Sequence, residues 1–272
     1  MRDIRGKTAV VTGGAGGIGR LLALALAGKG ARLVVWDLDE AAMASLEAEA
    51  GREGLDLHCL RCDVSDRREV YAKAEETAAR FGPVSLLVNN AGIVSGTRFL
   101  DTSDERAERT MAVNAIAHFW TTRAFLPGMI ERGEGHLVTL SSAAGVIGVT
   151  GLADYSASKF AAFGFAEAIR MELRKARSPV RTTIVCPFFV DTGLFEGVKT
   201  RFPLLLPILK QEYVAKRILG AILKDKRRLI MPPFVYSVFF LRLCPVGFLD
   251  AMAAFFGVSS SMDEFTGRAH GK

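Results

Sequence analysis

Tyr155 and Lys159 are the two residues whose types and spacing most directly indicate chemistry. On a helix, side chains four residues apart share a face, so the lysine ammonium would stand beside the tyrosine hydroxyl. A neighbouring positive charge favours phenolate, and we therefore expect the pKa of Tyr155 to fall from about 10 toward the working pH. Such a tyrosine removes a proton from an alcohol or donates one to a carbonyl. Ser142, near the end of a predicted strand, offers a hydroxyl that can hydrogen-bond the reacting oxygen.

A glycine-rich segment, TGGAGGIG at residues 12–19, follows the first predicted strand and runs directly into a helix. Glycine lets the backbone turn tightly and approach a pyrophosphate, while the helix N-terminus supplies unpaired N–H donors and a positive dipole end. Glycine-rich loops also occur in ordinary turns. The position of this one, between a strand and a helix close to the N-terminus, favours dinucleotide binding.

Asp37 ends the second predicted strand, about 20 residues beyond the glycine-rich loop, where a carboxylate accepts hydrogen bonds from a ribose 2′-OH and repels a 2′-phosphate. No lysine or arginine is adjacent to Asp37 or lies in the loop before Gly17, and Arg20 is the nearest cation. The sequence therefore favours NAD over NADP. The alternative is that Asp37 is only a helix N-cap or turn residue.

The scaffold for these residues is predicted by short apolar runs that alternate with longer amphipathic stretches. Strands alternating with helices of this length predict βαβ units and a parallel sheet, and near-continuous apolar strands fit a sheet covered on both faces. We expect an α/β fold, a single-domain Rossmann-like doubly wound parallel sheet of about seven strands with helices on both faces. The predicted strands are 7–12, 31–36, 57–62, 85–89, 136–140, 181–186 and 228–231, and the predicted helices are 18–27, 40–50, 67–80, 106–130, 157–176 and 212–223.

The overall composition excludes several classes of protein. Of the 272 residues, 50% are hydrophobic and 24% are charged, which excludes intrinsic disorder. The chain has four cysteines and no apolar signal-peptide core in its opening residues MRDIRGKTAVV, so we expect a reducing, cytoplasmic compartment. A net charge of +6 is ordinary for a soluble domain. The basic runs at 174–177 and 224–228 lack interleaved aromatic residues, and we predict no nucleic-acid partner.

The last fifth of the chain is more apolar than the rest. Residues 201–210 read RFPLLLPILK, and residues 231–258 form a second apolar stretch that Arg242, Pro245 and Asp250 interrupt. The longest uninterrupted apolar stretch is shorter than the roughly 18 residues that a membrane-spanning helix requires. Three interpretations stay open: a helix packed in the core or in an oligomer interface, a lipophilic lid, or a face for peripheral membrane contact.

The domain organisation follows from the same patterns, since no Pro/Ser-rich linker or internal repeat interrupts the alternation. We assign residues 1–230 to an NAD-binding catalytic domain that includes a substrate loop at 188–210. Residues 231–272 form a C-terminal extension packed on that domain. The basic residues 226–228 directly precede the extension, which suits an anionic membrane surface.

Other candidate motifs are weaker. Cys59 and Cys62 fall in a predicted strand, where residues three apart point to opposite faces, and no second pair completes a metal site. We therefore predict structural cysteines and no metal. A Gly-x-Ser-x-Gly motif does not occur in the sequence, which disfavours an α/β-hydrolase. The histidines match no catalytic triad: His58, His118, His136 and His270.

Four motifs together resemble the classical short-chain dehydrogenase/reductase family. They are Thr-Gly-x-x-x-Gly-x-Gly at 12–19, Asn-Asn-Ala-Gly at 89–92, Ser142, and Tyr-x-x-x-Lys at 155–159, all in family order. The resemblance covers the chain from about residue 5 to residue 230. It implies a homodimer or homotetramer built on the long predicted helices.

The resemblance also implies a role for each matching residue. Tyr155 would be the general acid/base, Ser142 would stabilise the substrate oxygen, and Lys159 would tune the tyrosine and bind ribose. Asn114 would hold a proton-relay water, although its type alone fits an ordinary polar helix residue. The implied cofactor-binding set is Gly13, Gly17, Ile18, Gly19, Asp37, Asp63, Val64, Asn90, Ala91, Gly92, Tyr155, Lys159 and Thr192.

The segment at 186–192 departs from the family pattern. Phe188 stands where the family commonly has glycine after a proline, while Thr192 still falls where the family contacts the nicotinamide amide. The amino-acid sequence of this segment is similar to that of the family branch that contains retinol and 17β-hydroxysteroid dehydrogenases. That similarity implies a bulky lipophilic substrate.

Three functions stay open at this stage. The first is an NAD(H)-dependent oxidoreductase that interconverts a hydroxyl and a carbonyl on a steroid, retinoid or long-chain alcohol. The second is an NADPH-dependent 3-oxoacyl-carrier reductase, which uses the same catalytic residues. The third is a cofactor-sensing binding protein without turnover, which the presence of both Tyr155 and Lys159 disfavours.

Overall fold

Seven parallel strands form the central sheet of the computed structural model, which describes residues 3–267. With the two short strands of a separate pair, the strands of the described residues are β1 (Thr8–Thr12), β2 (Arg32–Asp37), β3 (Leu57–Arg61), β4 (Val84–Asn89), β5 (His136–Leu140), β6 (Arg181–Pro187), β7 (Val190–Asp191), β8 (Leu209–Lys210) and β9 (Arg228–Met231). The order in the sheet is β3-β2-β1-β4-β5-β6-β9, and β7 pairs with β8 separately. The predicted doubly wound sheet is confirmed, and its seven strands differ from the predicted bounds by at most one residue at either end.

Helices cover both faces of the sheet. Within the described residues they are α1 (Gly17–Ala27), α2 (Glu40–Arg52), α3 (Arg67–Phe81), α4 (Asp104–Met111), α5 (Ala117–Glu131), α6 (Ala153–Lys175), α7 (Gln211–Leu223), α8 (Ser237–Leu241) and α9 (Val246–Phe255). Helices α1, α2 and α7 pack on one face, and α3, α5 and the end of α6 pack on the other.

The apolar character of the strands follows from this double cover. Val11 packs against the first group of helices and its neighbour Val10 against the second. Because successive side chains point to opposite faces, almost every residue of a central strand must be apolar. Trp36 is fully buried, and its indole N–H donates to the Thr77 hydroxyl at 3.2 Å.

The sheet changes its direction of growth at β1. Strands β2 and β3 add on one side of β1, and β4 and the later strands add on the other. The loops that follow β1 and β4 therefore diverge and leave a crevice at the carboxyl edge of the sheet. These two loops contain residues 12–19 and 89–92, so motifs distant in the chain meet there.

Two helices differ from the predictions. The predicted helix at 106–130 is interrupted by a π-helical turn, Ala112–Ile116, in which the Ala117 N–H bonds the carbonyl of Ala112, five residues back. Such turns are rare and occur often at functional sites. Helix α6 begins at Ala153 rather than at 157, with Asp154 in its first turn, where a carboxylate interacts favourably with the helix dipole.

The apolar C-terminal residues form a layer over the carboxyl edge of the sheet. A short turn and helices α8 and α9 span residues 233–256. Phe202 packs against Phe255 in a tilted arrangement and against Phe256 edge-on, with ring centroids 5.4 and 5.7 Å apart. Residues 201–210 and 233–256 therefore form one unit, which we name the apolar lid. The end of the predicted extension, 268–272 with His270, lies outside the described residues.

No helix within residues 3–267 combines the length and the apolar character needed to cross a bilayer.

Candidate active site

A large cleft of about 400 Å³ opens at the carboxyl edge of the sheet. It is lined at one end by the glycine-rich loop and at the other by the apolar lid. All but one of the predicted site residues line it, the exception being Asn114. Those that do are Gly13, Gly17, Ile18, Gly19, Asp37, Asp63, Val64, Asn90, Ala91, Gly92, Ser142, Tyr155, Lys159 and Thr192.

The glycine-rich loop has a backbone that other residues would not accept. Gly13 and Gly17 have φ angles of +61° and +52°, which L-residues with a Cβ adopt only with strain. At Gly19 a Cβ would lie 2.3 Å from the Gly13 carbonyl oxygen and 2.6 Å from the Asn90 amide nitrogen. Thr192 lies beside this loop, since a Cβ at Gly17 would be 3.5 Å from its side chain.

Hydrogen bonds between the loops after β1 and β4 close this end of the cleft. The Thr12 hydroxyl accepts from the backbone N–H groups of Asn90 and Ala91 at 3.0 and 3.1 Å. The Asn90 amide donates to the carbonyls of Thr12 and Gly13 at 2.9 and 2.8 Å. Asn90 thus holds the loop in shape. Sequence reasoning named Asn90 but missed Thr12, which stands first in the glycine motif.

Asp37 is tied to the same loop. Its Oδ2 accepts from the Ala15 N–H at 2.9 Å, and its Oδ1 accepts from the N–H groups of Leu38 and Asp39. Asp37 therefore also acts as a turn residue, while the N-cap of α2 is Asp39. The nearest candidate cation, Arg20, is turned away, since it pairs with Glu49 on α2.

Asp63 and Val64 line the cleft beyond β3. The Asp63 carboxylate accepts from the Ser65 hydroxyl at 2.7 Å and from the Arg109 guanidinium at 2.9 Å. Burial raises the pKa of Asp63, but these hydrogen bonds outweigh it and the net pKa is lowered. Sequence reasoning missed Arg109, which comes from α4 and has no motif to mark it.

Tyr155 and Ser142 lie together in the middle of the cleft. Both are buried, with 5% and 8% of their surfaces exposed, and their side chains are hydrogen-bonded. Ser142 follows β5 and also accepts from the Ala144 N–H at 3.1 Å, which fixes its rotamer. The edge of the Phe195 ring packs on Tyr155, with centroids 5.6 Å apart.

The expected lowering of the Tyr155 pKa is wrong for this structure. Burial raises the pKa of Tyr155 to about 12, and the hydrogen bond with Ser142 opposes that rise only in part. The Lys159 ammonium lies over the ring, 5.6 Å from its centroid, and donates to the Leu140 carbonyl at 3.1 Å. Desolvation therefore dominates the pKa of Tyr155.

Lys159 is also shifted by burial, which lowers its pKa to about 8. Taking a charge out of water favours the neutral form of each group, so the lysine and the tyrosine move in opposite directions. Near pH 8, Lys159 is consequently partly deprotonated, whereas Tyr155 stays protonated.

Asn114 lies in the π-helical turn, fully buried behind Lys159. Its Oδ1 accepts from the Ile93 N–H at 2.8 Å, and its Nδ2 donates to the Ile93 carbonyl and the Ser158 hydroxyl. A Cβ at Gly92 would be 3.4 Å from both Asn114 Oδ1 and Lys159 Nζ. Asn114 therefore ties the loop after β4 to helix α6 rather than facing the cleft.

Aromatic side chains form the wall opposite Tyr155. Phe188, at the position where glycine was expected, packs edge-on against Phe189 with centroids 4.6 Å apart. Phe189 in turn packs on Phe195 at 5.2 Å. Phe188 contacts two hydrophobic clusters, one beneath the lid and one around Tyr155. This departure from the family pattern extends an apolar surface up to the ring of Tyr155.

The cleft fits a dinucleotide. Helix α1 begins in it with no side-chain cap and no acidic residue in its first turn, which leaves backbone N–H groups for an anion. Gly13 and Gly19 leave no space for side chains beside these donors, and the Asp37 carboxylate lies at the end of the adjacent strand. These features suit a pyrophosphate with a ribose hydroxyl nearby.

Cys59 and Cys62 carry no reactive chemistry in this structure. Burial raises the pKa of Cys59 and Cys62 to about 12 each, so both remain thiols. Across residues 3–267, no group of three or more His, Cys, Asp or Glu side chains is arranged to hold a metal ion.

Comparison with known proteins adds to this geometry. A family model described as short chain dehydrogenase matches residues 7–201. Epidermal retinol dehydrogenase 2 of Mus musculus is 46% identical over 274 residues, covering 98% of this chain and 87% of that protein. Retinol dehydrogenase 10 of Homo sapiens is 40% identical over 293 residues, covering 97% and 86%. A short-chain dehydrogenase/reductase from Burkholderia phymatum, solved in complex with NAD, is 30% identical with a TM-score of 0.81, covering 89% of this chain and 95% of that one.

We name the closely packed backbone around Gly13 and Gly19 the glycine cradle. Its close packing predicts that one added methyl group weakens cofactor binding. Gly19→Ala should raise the Kd for NADH by at least about tenfold, a loss of about 1.4 kcal/mol, because the Cβ clashes with backbone. Gly51→Ala is the control, since a Cβ there meets no atom within 4 Å and Gly51 does not line the cleft, so Kd should stay nearly unchanged. Fluorescence titration of NADH measures both, with thermal unfolding to verify the fold. Equal Kd values for the two variants would contradict the cradle.

Proposed function

Because the chain belongs to the short-chain dehydrogenase family, a family of oxidoreductases, we propose that it transfers a hydride between NAD(H) and a lipophilic alcohol. The observation that carries this proposal is the composition of the cleft, with the glycine cradle and Asp37 at one end and aromatic and aliphatic side chains at the other. Relatives described as retinol dehydrogenases support the substrate class. The proposed substrates are retinoids, steroids or long-chain alcohols.

The proposed mechanism divides proton handling among three side chains. A nicotinamide cofactor held by the glycine-rich loop and Asp37 would supply the hydride chemistry at the carbinol carbon. Ser142 orients the reacting oxygen, and Tyr155 exchanges the hydroxyl proton with it. Since burial keeps Tyr155 protonated, its resting form is ready to donate a proton to a carbonyl. Alcohol oxidation requires Tyr155 to lose that proton first, and the neutral amine of Lys159 is the base placed to accept it.

Tyr155→Phe tests the assignment of the proton donor and acceptor. The variant keeps the ring that packs on Phe195 but removes the hydroxyl, so turnover of retinol with NAD should fall by at least about 10²-fold. NADH binding should stay close to wild type. Steady-state rates and NADH titration measure the two quantities. Turnover within a factor of two of wild type would rule out Tyr155 as the acid/base.

The proposed preference for NAD rests on Asp37. With Arg20 held by Glu49, no cation is offered from α1 to a 2′-phosphate. Asp37→Asn should therefore shift the ratio of kcat/KM values toward NADP by at least about tenfold, because one negative charge near the ribose is removed.

Asp66→Asn serves as the control for the cofactor preference, since Asp66 caps α3 and asparagine caps equally well. The ratio of its kcat/KM values with NADP and NAD should equal the wild-type ratio. A wild-type protein that prefers NADPH and reduces 3-oxoacyl thioesters would instead favour the reductase function.

A lipophilic substrate dissolves in membranes, so a protein that acts on it benefits from contact with a bilayer. The apolar lid has the surface for such peripheral contact. Its inner side chains line the cleft, among them Leu206 and Phe256. Its outer side chains are strongly exposed, including Leu204 at 99%, Leu243 at 84% and Phe240 at 74%. We therefore propose that the lid rests on a bilayer from which the substrate enters the cleft.

The charges of the apolar lid favour anionic lipid. Residues 201–210 and 233–256 contain Arg201, Lys210 and Arg242 and a single acidic residue, Asp250. Basic residues beside an apolar surface bind anionic headgroups. Arg228, in the basic run before the extension, pairs with Glu167 and lies against two phenylalanine rings, so less of its charge is available to a headgroup.

Vesicle flotation tests the membrane contact. Wild type should float with vesicles of phosphatidylcholine and phosphatidylserine, and the triple change Phe240→Ser, Leu243→Ser and Val246→Ser should reduce binding at least about tenfold. The control is Phe99→Ser with Leu100→Ser, which removes apolar side chains exposed by 73% and 91% elsewhere. Wild type that does not float contradicts the proposal, as does a triple variant that floats equally well.

We also propose that the protein assembles as a homodimer or homotetramer. Ile116, Phe119 and Met171 expose 40%, 42% and 56% of their surfaces. They lie in the π turn, α5 and α6, the helical segments on which the family resemblance places the subunit contact. A second copy would cover these side chains on a face separate from the apolar lid.

A further inference from the structure

Arg109 is a charged side chain of the cleft that the proposed mechanism does not use. It comes from α4, yet it lines the cleft together with Asp63. Its guanidinium donates to Asp63 Oδ2 at 2.9 Å and also to the Ser65 hydroxyl. The side chain of Arg109 is 43% exposed, and exposed ion pairs contribute little to the free energy of unfolding. This contact therefore has a reason other than the stability of the fold.

Arg109, Ser65 and Asp63 form a closed ring of hydrogen bonds. Because an arginine only donates, the Ser65 hydroxyl accepts from it and donates its own proton to Asp63 Oδ1 at 2.7 Å. The Ser65 backbone N–H donates to the same oxygen at 2.9 Å. Within the described residues, Oδ1 thus has two donors and Oδ2 has one, which is Arg109. A carboxylate oxygen accepts about two hydrogen bonds, so Oδ2 can accept one more.

The position of Asp63 determines which part of a dinucleotide reaches this oxygen. The glycine-rich loop, Asp37 and Asp63 follow β1, β2 and β3, three strands that are adjacent in the sheet. Asp37 pairs in register with Arg61, two residues before Asp63, and neighbouring strands lie about 4.8 Å apart. With the pyrophosphate at the loop and the ribose at Asp37, the adenine base comes next, beside β3. Its exocyclic amino group is a hydrogen-bond donor, which matches an acceptor carboxylate.

Apolar side chains around the two carboxylates suit the faces of a base. Leu38 and Val64 directly follow the carboxylates in the chain, and both line the cleft. Val113, one turn after Arg109, lines it as well. This part of the cleft therefore offers apolar contact to a purine and an acceptor oxygen to its amino group.

We propose that Arg109 is a positioning residue that fixes the Asp63 carboxylate so that Oδ2 accepts a hydrogen bond from the adenine amino group of NAD. Arg109 holds the acceptor in one rotamer, because Asp63 is then hydrogen-bonded through both of its oxygens. The role rests on the proposed function for the identity of the cofactor and not for that of the alcohol. Loss of Arg109 therefore weakens binding of a dinucleotide that carries the amino group and spares one that lacks it.

The test compares NADH with its hypoxanthine analogue, in which an oxygen replaces the adenine amino group, by fluorescence titration. Arg109→Met should raise the Kd for NADH at least about tenfold, because a charge-assisted hydrogen bond is weakened. The analogue should bind wild type at least about tenfold more weakly than NADH does, and Arg109→Met should change its Kd less than about twofold. Arg109→Lys keeps a cationic donor and should bind NADH within about threefold of wild type.

A double variant tests whether Arg109 acts through Asp63. Asp63→Ala removes the acceptor, so adding Arg109→Met to it should change the Kd for NADH less than about twofold. Arg106→Met is the matched control, since Arg106 is an exposed arginine of the same helix that does not line the cleft. It should leave the Kd values for NADH and the analogue unchanged. Thermal unfolding verifies the fold of each variant.

Equal affinity of wild type for NADH and the analogue overturns the proposal without any variant. It is also overturned if Arg109→Met binds NADH as wild type does, if it weakens both nucleotides by the same factor, or if the two changes add fully in the double variant. Titration measures binding without turnover, so the expected Kd pattern in a protein that transfers no hydride would contradict the proposed function alone. Turnover of an alcohol with NAD, at a Kd that Arg109→Met does not change, would contradict the role of Arg109 alone. Wild type that binds no NADH contradicts both.

Discussion

Hydrogen bonds between the loops after β1 and β4 are the constraint on which the rest of the cleft depends. The strand order reverses at β1, and the crevice left there would open without a link between its two sides. Thr12 and Asn90 provide four hydrogen bonds across it, all between 2.8 and 3.1 Å. They bring the glycine cradle against Ala91 and Gly92, and Gly92 in turn faces Lys159 and Asn114. A single junction therefore aligns the dinucleotide end of the cleft with the proton-handling end.

Burial controls the pKa values of the residues at the proton-handling end of the cleft. Tyr155 has its pKa raised to about 12, and Lys159 has its pKa lowered to about 8. Both shifts move the equilibria toward the neutral forms, because burial opposes charge where an apolar substrate must bind. The aromatic wall around Phe195 and the apolar lid exclude water from the same region. The surface that binds a lipophilic alcohol is thus also the surface that sets the proton affinities of the residues proposed to act on it.

The sheet and the location of the cleft were predictable from sequence, because parallel strands end at one edge and each motif follows a strand. Other features were not predictable, for physical reasons. The π turn around Asn114 adds one residue to a helix, which leaves the hydrophobic pattern nearly intact. The pKa of Tyr155 depends on Phe195, 40 residues later in the chain, and helical spacing to Lys159 carries no information on burial. The pairing of Arg109 with Asp63 joins elements that no motif connects.

The central claim is that this cleft holds a nicotinamide cofactor and a lipophilic alcohol together and passes a hydride between them. Retinol that carries deuterium at its carbinol carbon tests this directly when it is incubated with the protein and NAD. The account predicts that mass spectrometry finds one deuterium in the NADH formed and retinaldehyde as the product. Repetition with deuterated steroid and long-chain alcohols extends the test to the other substrate classes. Binding of NAD with no transfer of deuterium from any of the three would contradict the claim.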